Sequence, residues 1–260
     1  MTLIKHKKRI FLFCVYFAAS VFLFTCGIED IYFLPQVRQI TSQANTSAEI
    51  VLPSLSSYYY AQNYIIYYRI YISDKPILNT IDTSIMGSIN PDLERDFNAI
   101  FPNTDPTSTT SGIAANILFS SRGYFELALD GININNILTK SGVDVNIEIK
   151  FPTAYLGNPE LEVNIPPNPI IPPNSAYNLK RSVRLINPMP TDRYFQNTDG
   201  LNNVTNANSN NNADVSAHGV QGFAYASMYV VAAGMDPVKF TPIYGKPTHI
   251  NIFRLPGQLI

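Results

Sequence analysis

The stretch Asn63–Ser73 is eleven residues long and contains neither glycine nor proline. With the period of two that a β-strand imposes, its even-numbered positions are all tyrosine or isoleucine. Its odd-numbered interior positions carry three more large apolar or aromatic side chains together with Arg69. Because such residues fit a buried pleated surface, the pattern predicts a central strand that is packed on both sides.

Further strands are predicted where apolar residues alternate or cluster. Val143–Ile149 alternates apolar and polar side chains strictly, which is typical of a half-exposed strand. Ile31–Val37 contains Pro35, which favours an edge strand because proline cannot donate to the ladder. Two segments around a glycine-containing turn, Asn116–Phe119 and Tyr124–Leu129, predict a hairpin. The remaining predicted strands are Glu49–Leu52, Ser182–Ile186, Phe223–Ala233 and Ile250–Leu255.

One helix and two long loops complete the pattern. Asn90–Ile100 predicts a helix, since Asn90 suits the cap, Pro91 suits the first turn and acidic residues follow. Its apolar residues fall on one face. The proline-studded segment Asn164–Asn174 predicts a stiff, extended crossing, and the asparagine-rich segment Gln196–Asn212 predicts a loop.

Composition strengthens the β assignment. Of 260 residues, 46% are hydrophobic and only 14% are charged, against about 25% charged in an ordinary domain. Tyrosine and phenylalanine are plentiful, and long stretches of helix-forming residues are missing. The chain is long enough for a sizeable core, and we expect one large all-β domain with long loops.

The first 26 residues have the organisation of a secretory signal. A basic segment precedes the apolar run Ile10–Phe24, which at about fifteen residues is short for a transmembrane helix. Cys26 follows this run after one residue, Thr25, with Leu23 three residues before it, and the arrangement resembles the lipobox of bacterial lipoproteins. The resemblance implies that residues 1–25 are a signal peptide and that Cys26 is lipidated. The alternative is an ordinary signal peptide or an uncleaved signal anchor.

Removal of this segment changes the charge and the cysteine content. It leaves 14 basic and 19 acidic side chains, a net charge of −5. This sign offers no electrostatic basis for binding nucleic acid. Cysteine occurs only at positions 14 and 26, so the mature chain is expected to hold neither a disulfide nor a free thiol.

The two ends of the remaining chain resemble a fibronectin type III domain. The short proline-containing strand, the second strand and Asn63–Ser73 are similar to strands A, B and C. Phe223–Ala233, the segment Thr241–Pro247 and Ile250–Leu255 are similar to strand F, the following turn and strand G. The resemblance implies an all-β sandwich of the fibronectin III/immunoglobulin type, with a large insertion at about 74–220 that holds one short helix and extra strands.

The start at Cys26-Gly27, the strand Tyr67–Tyr71 and the closing segment that includes Pro242–Pro247 also resemble spirochaetal, treponemal-type lipoproteins of unassigned function. The resemblance covers about 110 residues at the two ends. It implies a single lipid-anchored domain at residues 26–260 in the bacterial cell envelope, on the periplasmic or the surface side. Its motifs are structural and imply no catalytic residues.

Patterns that carry chemistry are scarce. The sequence has no G-x-S-x-G elbow and no D-x-D-x-D-G calcium loop. Outside the signal only His218 and His249 remain, too few to suggest a zinc site without cysteine. The acidic group Asp92, Glu94 and Asp96 is expected to be the polar face of the helix. We predict no catalytic residues, no metal and no cofactor.

Clustered tyrosines are the remaining signal. Tyr58, Tyr59 and Tyr60 precede the central strand, and Tyr67, Arg69 and Tyr71 lie on its charged face. If exposed, these six residues would form an interaction surface. The alternative is that helices and loops of the insertion cover them.

Two functions therefore remain open, with a third at lower weight. The first is a structural or protein-interaction lipoprotein of the envelope, held on the membrane by its lipid and contacting an envelope or host protein. The second is a periplasmic lipoprotein that binds a small ligand or assists envelope assembly. The third is a hydrolytic enzyme, which the scarcity of catalytic patterns disfavours.

Overall fold

A computed structural model describes residues 34–43, 45–76, 85–104, 115–129, 142–152, 159–164, 175–181, 193–195, 213–216 and 222–255. By its internal contacts the chain divides into two compact units, Met1–Tyr32 and Phe33–Ile260, and the described residues belong to the second. Their strands are β1 (Arg38–Gln43), β2 (Ser47–Leu52), β3 (Ala61–Ser73), β4 (Phe125–Glu126), β5 (Ala128–Leu129), β6 (Val145–Lys150), β7 (Glu160–Asn164), β8 (Ser175–Arg181), β9 (Arg193–Tyr194), β10 (Val215–Ser216), β11 (Phe223–Met235), β12 (Pro242–Tyr244) and β13 (Thr248–Arg254). Their helices are α1 (Met86–Ile89), α2 (Pro91–Thr104) and α3 (Ala115–Ser121), and a 3-10 turn spans Leu55–Ser57.

The strands form two sheets. In the first sheet the order is β1-β2-β6-β7-β8-β5, with β9 also paired to β8, and neighbouring strands are antiparallel. In the second sheet β3 lies between β10 and β11, and β11 also pairs with β12 and β13. Apolar side chains from both sheets meet in one core. The predicted all-β sandwich is confirmed.

The centre of the second sheet is the pair β3 and β11, thirteen residues each. They are antiparallel, with Ile66 opposite Val230 and Tyr71 opposite Tyr225. β13 continues this sheet on the other side of β11. The predicted pairing of Asn63–Ser73 with Phe223–Ala233 is therefore confirmed, although some 150 residues separate the two segments in sequence.

The two faces of β3 belong to two different cores. The even-numbered side chains, as predicted, point into the core between the sheets, where Ile147 and Leu161 of the first sheet face them. The odd-numbered Tyr67 and Tyr71 lie in a second core beneath α2 and α3. These helices contribute Leu93, Phe97, Ile100, Leu118 and Phe119. Burial on both faces explains why β3 contains so few polar residues.

α2 begins where the sequence predicts it. The Asn90 side chain accepts a hydrogen bond from the amide of Asp92 at 2.9 Å, and Pro91 is the first helical residue. The Asn90 amide also donates to the carbonyl of Ile72 at 2.9 Å, which fixes the start of the helix against β3. The helix continues to Thr104, beyond the predicted end at Ile100.

Three local predictions differ from the structure. Asn116–Phe119 is part of helix α3 rather than a strand, so the predicted hairpin is wrong; burial of Leu118 and Phe119 against the second core favours the helix there. Tyr124–Leu129 is divided between β4, which pairs with β3, and β5, which pairs with β8. The edge strand begins at Arg38, because Pro35 precedes it as buried, non-ladder backbone.

The segment between β3 and β11 builds much of the sandwich. It supplies β6, which contains most of the predicted strand Val143–Ile149, and also β7 and β8 of the first sheet. Of the predicted crossing Asn164–Asn174 only Asn164 is described, as the last residue of β7. The predicted strand Ser182–Ile186 and the predicted loop Gln196–Asn212 lie outside the described residues. Among the described residues, no helix combines the length and apolar character needed to cross a membrane.

Candidate interaction surface

Three of the predicted surface residues lie inside the protein. Tyr67 and Tyr71 are buried, and the Tyr67 ring stacks on Phe119 with ring centroids 4.4 Å apart. The Arg69 side chain is only 12% exposed to solvent. The helices of the middle segment cover this face of β3, so these residues hold the fold together and do not present an open patch.

One buried carboxylate organises the polar atoms on this face. Asp96, on α2, forms an ion pair with Arg69 and accepts a hydrogen bond from the Tyr71 hydroxyl at 2.9 Å. Arg95 reaches the other oxygen of the same carboxylate at 3.2 Å. Arg69 additionally donates to the carbonyl of Arg122, after the end of α3. The charge of Asp96 is thus balanced where it is buried, as a buried carboxylate requires.

A chain of hydroxyls extends from this carboxylate. Tyr71 Oη lies 3.1 Å from Tyr124 Oη, which in turn lies 3.2 Å from Ser227 Oγ. Burial raises the pKa of Tyr71 well above its usual value, and the neighbouring Tyr124 and Asp96 add to the effect. Burial likewise raises the pKa of Tyr124 to about 12. Both phenols stay protonated near neutral pH, so the chain is a set of structural hydrogen bonds.

A second polar row crosses the same sheet. Tyr67, Tyr229 and His249 are opposite one another on β3, β11 and β13. Their atoms Tyr67 Oη, Tyr229 Oη and His249 Nε2 are buried without a hydrogen-bond partner. Burial lowers the pKa of His249 to about 4, so its imidazole is neutral at pH 7. It packs against the rings of Tyr229 and Phe97.

An ion pair also lies in the core between the sheets. Arg181 at the end of β8 is buried against Asp214, with Nε 2.6 Å from Oδ2 and Nη2 bonded to Oδ1. The Tyr68 hydroxyl donates to the same carboxylate at 2.9 Å. This bidentate pair joins the first sheet to β10 of the second. Within the described ranges, no group of histidine, cysteine or acidic side chains has the arrangement of a metal site.

Exposed apolar side chains gather at one end of the sandwich. The described residues include five exposed large hydrophobics: Ile40, Tyr59, Val143, Val238 and Phe240. Ala61 at the start of β3 pairs with Gly234 near the end of β11, and Leu52 at the end of β2 pairs with Val145 at the start of β6. The Tyr64 hydroxyl, near the start of β3, donates to the carbonyl of Pro53, directly after β2, at 2.6 Å, so these ends of the two sheets coincide. Four of the five, Tyr59, Val143, Val238 and Phe240, therefore lie at the same end; we call them the apolar end surface.

The hairpin between β11 and β12 presents two of these side chains. Val238 and Phe240 are 71% and 78% exposed. The buried Asp236 accepts hydrogen bonds from the amides of Val238 and Lys239 at 2.8 and 3.0 Å. The Phe240 amide donates to the Asp236 carbonyl at 2.9 Å. These bonds hold the tip in one conformation.

Tyr59 stands on the neighbouring turn. It is 90% exposed, and its ring packs at a right angle to the Tyr60 ring, with the ring centroids 5.0 Å apart. The Tyr60 carbonyl accepts a hydrogen bond from the amide of Met235 at 3.2 Å, which links this turn to the base of the hairpin. Tyr58 and Tyr60 are partly buried. The three predicted tyrosines before β3 thus lie at the end of the sandwich that carries the apolar end surface. The three predicted residues within β3 lie under the helices instead.

An open groove of about 810 Å³ lies beside this turn. Its walls include Val37, Ser54, Tyr58 and Thr248, together with the exposed ion pair of Arg38 and Asp144, whose charged atoms lie 3.5 Å apart. The Asp144 carboxylate also accepts a hydrogen bond from the Ser54 amide at 2.9 Å. The groove is polar and open rather than a closed apolar pocket.

Val238 and Phe240 are absent from the predicted interaction surface. The turn dipeptide Asp236-Pro237 after a long apolar strand, followed by Val-Lys-Phe, is the signal that could have indicated an apolar hairpin tip. Cys26, the residue predicted to be lipidated, lies outside the described residues. Comparisons with models of protein families, with curated proteins and with solved structures found no match to this chain.

Proposed function

We propose that the protein is a lipoprotein of the bacterial cell envelope, tethered to a membrane through Cys26, and that it works as a structural or interaction module. The tether is supported by the basic segment, the apolar run and the cysteine that follows it. Several acyl chains on one residue give stable anchoring, whereas a single chain gives only marginal binding.

The observation that carries the interaction function is the apolar end surface. Large exposed hydrophobic side chains scattered singly need no explanation, but a concentration of them at one end indicates a contact site. Tyr59, Val238 and Phe240 are each more than two-thirds exposed. The hydrogen bonds of Asp236 present the hairpin pair rigidly, which lowers the entropic cost of contact.

The buried polar groups support binding over hydrolysis. The carboxylates of Asp96 and Asp214 are each held by arginine and tyrosine side chains, in the manner of structural ion pairs. His249, neutral and packed between aromatic rings, lies on the same sheet as the hydroxyl chain. These groups fasten helices and sheets to one another, which leaves binding as the function that the geometry favours.

A second candidate is a periplasmic protein that binds a small polar ligand. The groove that contains Arg38, Asp144 and Ser54 favours it, since it offers a guanidinium, a carboxylate and a hydroxyl in one place. Its openness counts against it, because ligand pockets usually bury most of the ligand surface. Ligand-dependent thermal stabilisation that disappears in Arg38→Ala would support this candidate over the interaction module.

The anchor is tested by metabolic labelling with a clickable palmitate analogue. We expect the wild type and Cys14→Ala to be labelled and to remain in the membrane fraction, since Cys14 leaves with the signal. Cys26→Ala is expected to lose the label. Absence of label in the wild type, or label that survives Cys26→Ala, would contradict the lipoprotein proposal. Proteolysis of intact cells then separates a surface protein, which is cleaved, from a periplasmic one.

A further inference from the structure

We propose that the apolar end surface rests on the lipid bilayer, with Val238 and Phe240 inserted among the headgroups and the sandwich standing end-on to the membrane. This inference rests on the proposed function, because it takes the lipid at Cys26 as the tether. It names the bilayer as the partner of that surface.

The first argument is where the polypeptide joins the domain. Leu34 is the first described residue, and it lies beside Gly245, which precedes β13. Val37 follows in the wall of the groove, and its carbonyl accepts a hydrogen bond from the Thr248 hydroxyl at 3.0 Å. The chain therefore joins the domain at the end that carries Tyr59, Val238 and Phe240.

The second argument is the length of the tether. Seven residues separate Cys26 from Leu34, and even a fully extended chain of this length spans at most about 28 Å. A lipid at Cys26 thus holds this end of the domain close to the membrane. A folded protein partner would have to fit into this narrow space, whereas the bilayer is already there.

The third argument is the chemistry of the hairpin tip. Lys239 is exposed between the two apolar side chains. This alternation suits a membrane interface, where the apolar side chains enter the acyl boundary and an ammonium remains among anionic headgroups. The nearby Asp236 carboxylate is buried and accepts backbone amide bonds, so it does not project from the tip. Tyr59 adds an aromatic side chain of the kind enriched at interfaces.

The conformation of Phe240 gives a fourth argument. Its φ of 53° is in the left-handed region, where glycine or asparagine is less strained than an aromatic residue. An exposed phenylalanine at such a position contributes little to folding. A backbone outlier of this kind points to a function outside the folded core.

The experiment places an environment-sensitive fluorophore on one introduced cysteine of the full chain, expressed with its own signal in a Cys14→Ala background, where the proposed lipid occupies the Cys26 thiol. Lys239→Cys puts the probe between Val238 and Phe240 without altering either. Lys75→Cys is the matched control, because it replaces another exposed lysine, just beyond the opposite end of β3. Each purified protein is reconstituted into vesicles of equimolar phosphatidylcholine and phosphatidylglycerol.

We expect the probe at position 239 to shift to shorter wavelengths and to be quenched several-fold more strongly by spin-labelled lipids than the probe at position 75. The triple variant Lys239→Cys, Val238→Ser, Phe240→Asn should lose most of this difference. Asparagine tolerates the left-handed backbone, and both positions are exposed, so the variant is expected to fold; far-UV circular dichroism checks this.

Palmitate labelling and vesicle flotation report on the anchor independently of the probe. Labelled protein that floats but gives equal, water-like signals at positions 239 and 75 would overturn the bilayer contact and leave the anchor standing. Protein that floats without palmitate label contradicts the lipid anchor and leaves the Cys26 thiol free to take the fluorophore. Cys26→Ala is then added to each probe variant, and the probe still decides the contact. Protein that neither floats nor shifts the probe would contradict both the lipid anchor and the bilayer contact. Shielding at position 239 in native membranes without lipid quenching identifies a protein partner and also overturns the proposal.

Discussion

At the scale of single residues, Asp96 shows how a carboxylate is used inside this protein. It lies on α2, and its carboxylate binds Arg69 and the Tyr71 hydroxyl from β3 and Arg95 from its own helix. Removal of one partner from such a buried group costs more than the hydrogen bond itself, because the remaining atoms lose their solvation without compensation. The helix is therefore fixed to the sheet at one position by several mutually dependent contacts.

The hydrogen bond between Tyr71 and Asp96 predicts the effect of removing the Tyr71 hydroxyl. Tyr71→Phe deletes the hydrogen bond to Asp96 and the contact with Tyr124, and we expect it to lower the free energy of unfolding by about 2 kcal/mol. Tyr59→Phe removes the same atom from a side chain that is 90% exposed and should change stability by less than about 0.5 kcal/mol. Urea denaturation followed by circular dichroism measures both. Equal effects would show that the buried hydroxyl is not coupled to Asp96.

The neutral state of His249 predicts a dependence of stability on pH. Burial lowers its pKa from 6.5 to about 4, so the unfolded chain takes up this proton at a higher pH than the folded chain. Stability should therefore fall as the pH drops from about 6.5 to about 4, by at most about 1.4 kcal/mol per pH unit. His249→Leu should remove this component. The difference between the two stability curves isolates it from the carboxylates, and parallel curves would contradict the prediction.

At the scale of elements, a sequence pattern is sufficient to predict a strand or a helix where it repeats over many residues. β3 and β11 are long, and both faces are buried, so almost every position carries the signal. α2 combines a cap, a proline and a consistent apolar face. α3 offers only Ile117, Leu118 and Phe119 in a short apolar run, which fits a strand or a helix equally well. Its helical state depends on packing against Tyr67, a contact far away in sequence.

β7 illustrates a signal that was present but overlooked. Leu161 and Val163 are buried and alternate with Glu160 and Glu162, which is the period of two that defined β6. The alternation of Leu161 and Val163 with two glutamates is therefore sufficient to predict β7 from the sequence.

The junction of the Tyr58–Tyr60 turn with β11 predicts different effects for two glycines. A Cβ at Gly234 would lie 2.0 Å from the carbonyl oxygen of Tyr60. Because this is backbone, Gly234→Ala should cost about 2 kcal/mol or more and displace the turn that carries Tyr59. A Cβ at Gly87 would also meet an oxygen at 2.0 Å, but that oxygen belongs to the flexible Glu94 side chain. Gly87→Ala should therefore be neutral or stabilise α1 by about 0.5 kcal/mol.

Thermal unfolding of the two glycine variants measures the difference. Both substitutions add the same methyl group, and in both the new Cβ would lie at the same distance from an oxygen. They differ only in whether that oxygen belongs to rigid backbone or to a mobile side chain. If both variants lose the same stability, the Glu94 side chain gives way no more readily than the Tyr60 backbone, and the expected difference between the two glycines is contradicted. If both are neutral, the turn moves freely against the hairpin, and the backbone link between this turn and the base of the hairpin does not hold Tyr59 in place.

At the scale of the whole molecule, the sequence located the tyrosines but not their exposure. Whether Tyr67 faces solvent depends on where α2 and α3 pack, and nothing in the local pattern of β3 determines that position. The apolar tip was missed for a related reason: Val238 and Phe240 are ordinary hydrophobic residues in sequence and become notable only because they are exposed. Exposure is a property of the assembled fold.

The two cores share one pair of strands, and this predicts cooperative unfolding. β3 and β11 contribute side chains both to the core between the sheets and to the core beneath the helices, so loss of either core exposes the strands that support the other. Ile147→Ala in the first core and Leu93→Ala in the second, both fully buried, should each lower the free energy of unfolding by about 2–5 kcal/mol. Each variant should still unfold in one transition.

Far-UV circular dichroism follows the backbone, and near-UV circular dichroism follows the packed tyrosines, since the chain contains no tryptophan. The two signals should give the same midpoint in the wild type and in both variants. Val143→Ala, at an exposed position, should leave the midpoint nearly unchanged. If Leu93→Ala lowers only the near-UV midpoint, the helices unfold separately from the sandwich. The covered face of β3 would then open under mild conditions, and Tyr67, Arg69 and Tyr71 would become accessible to a partner.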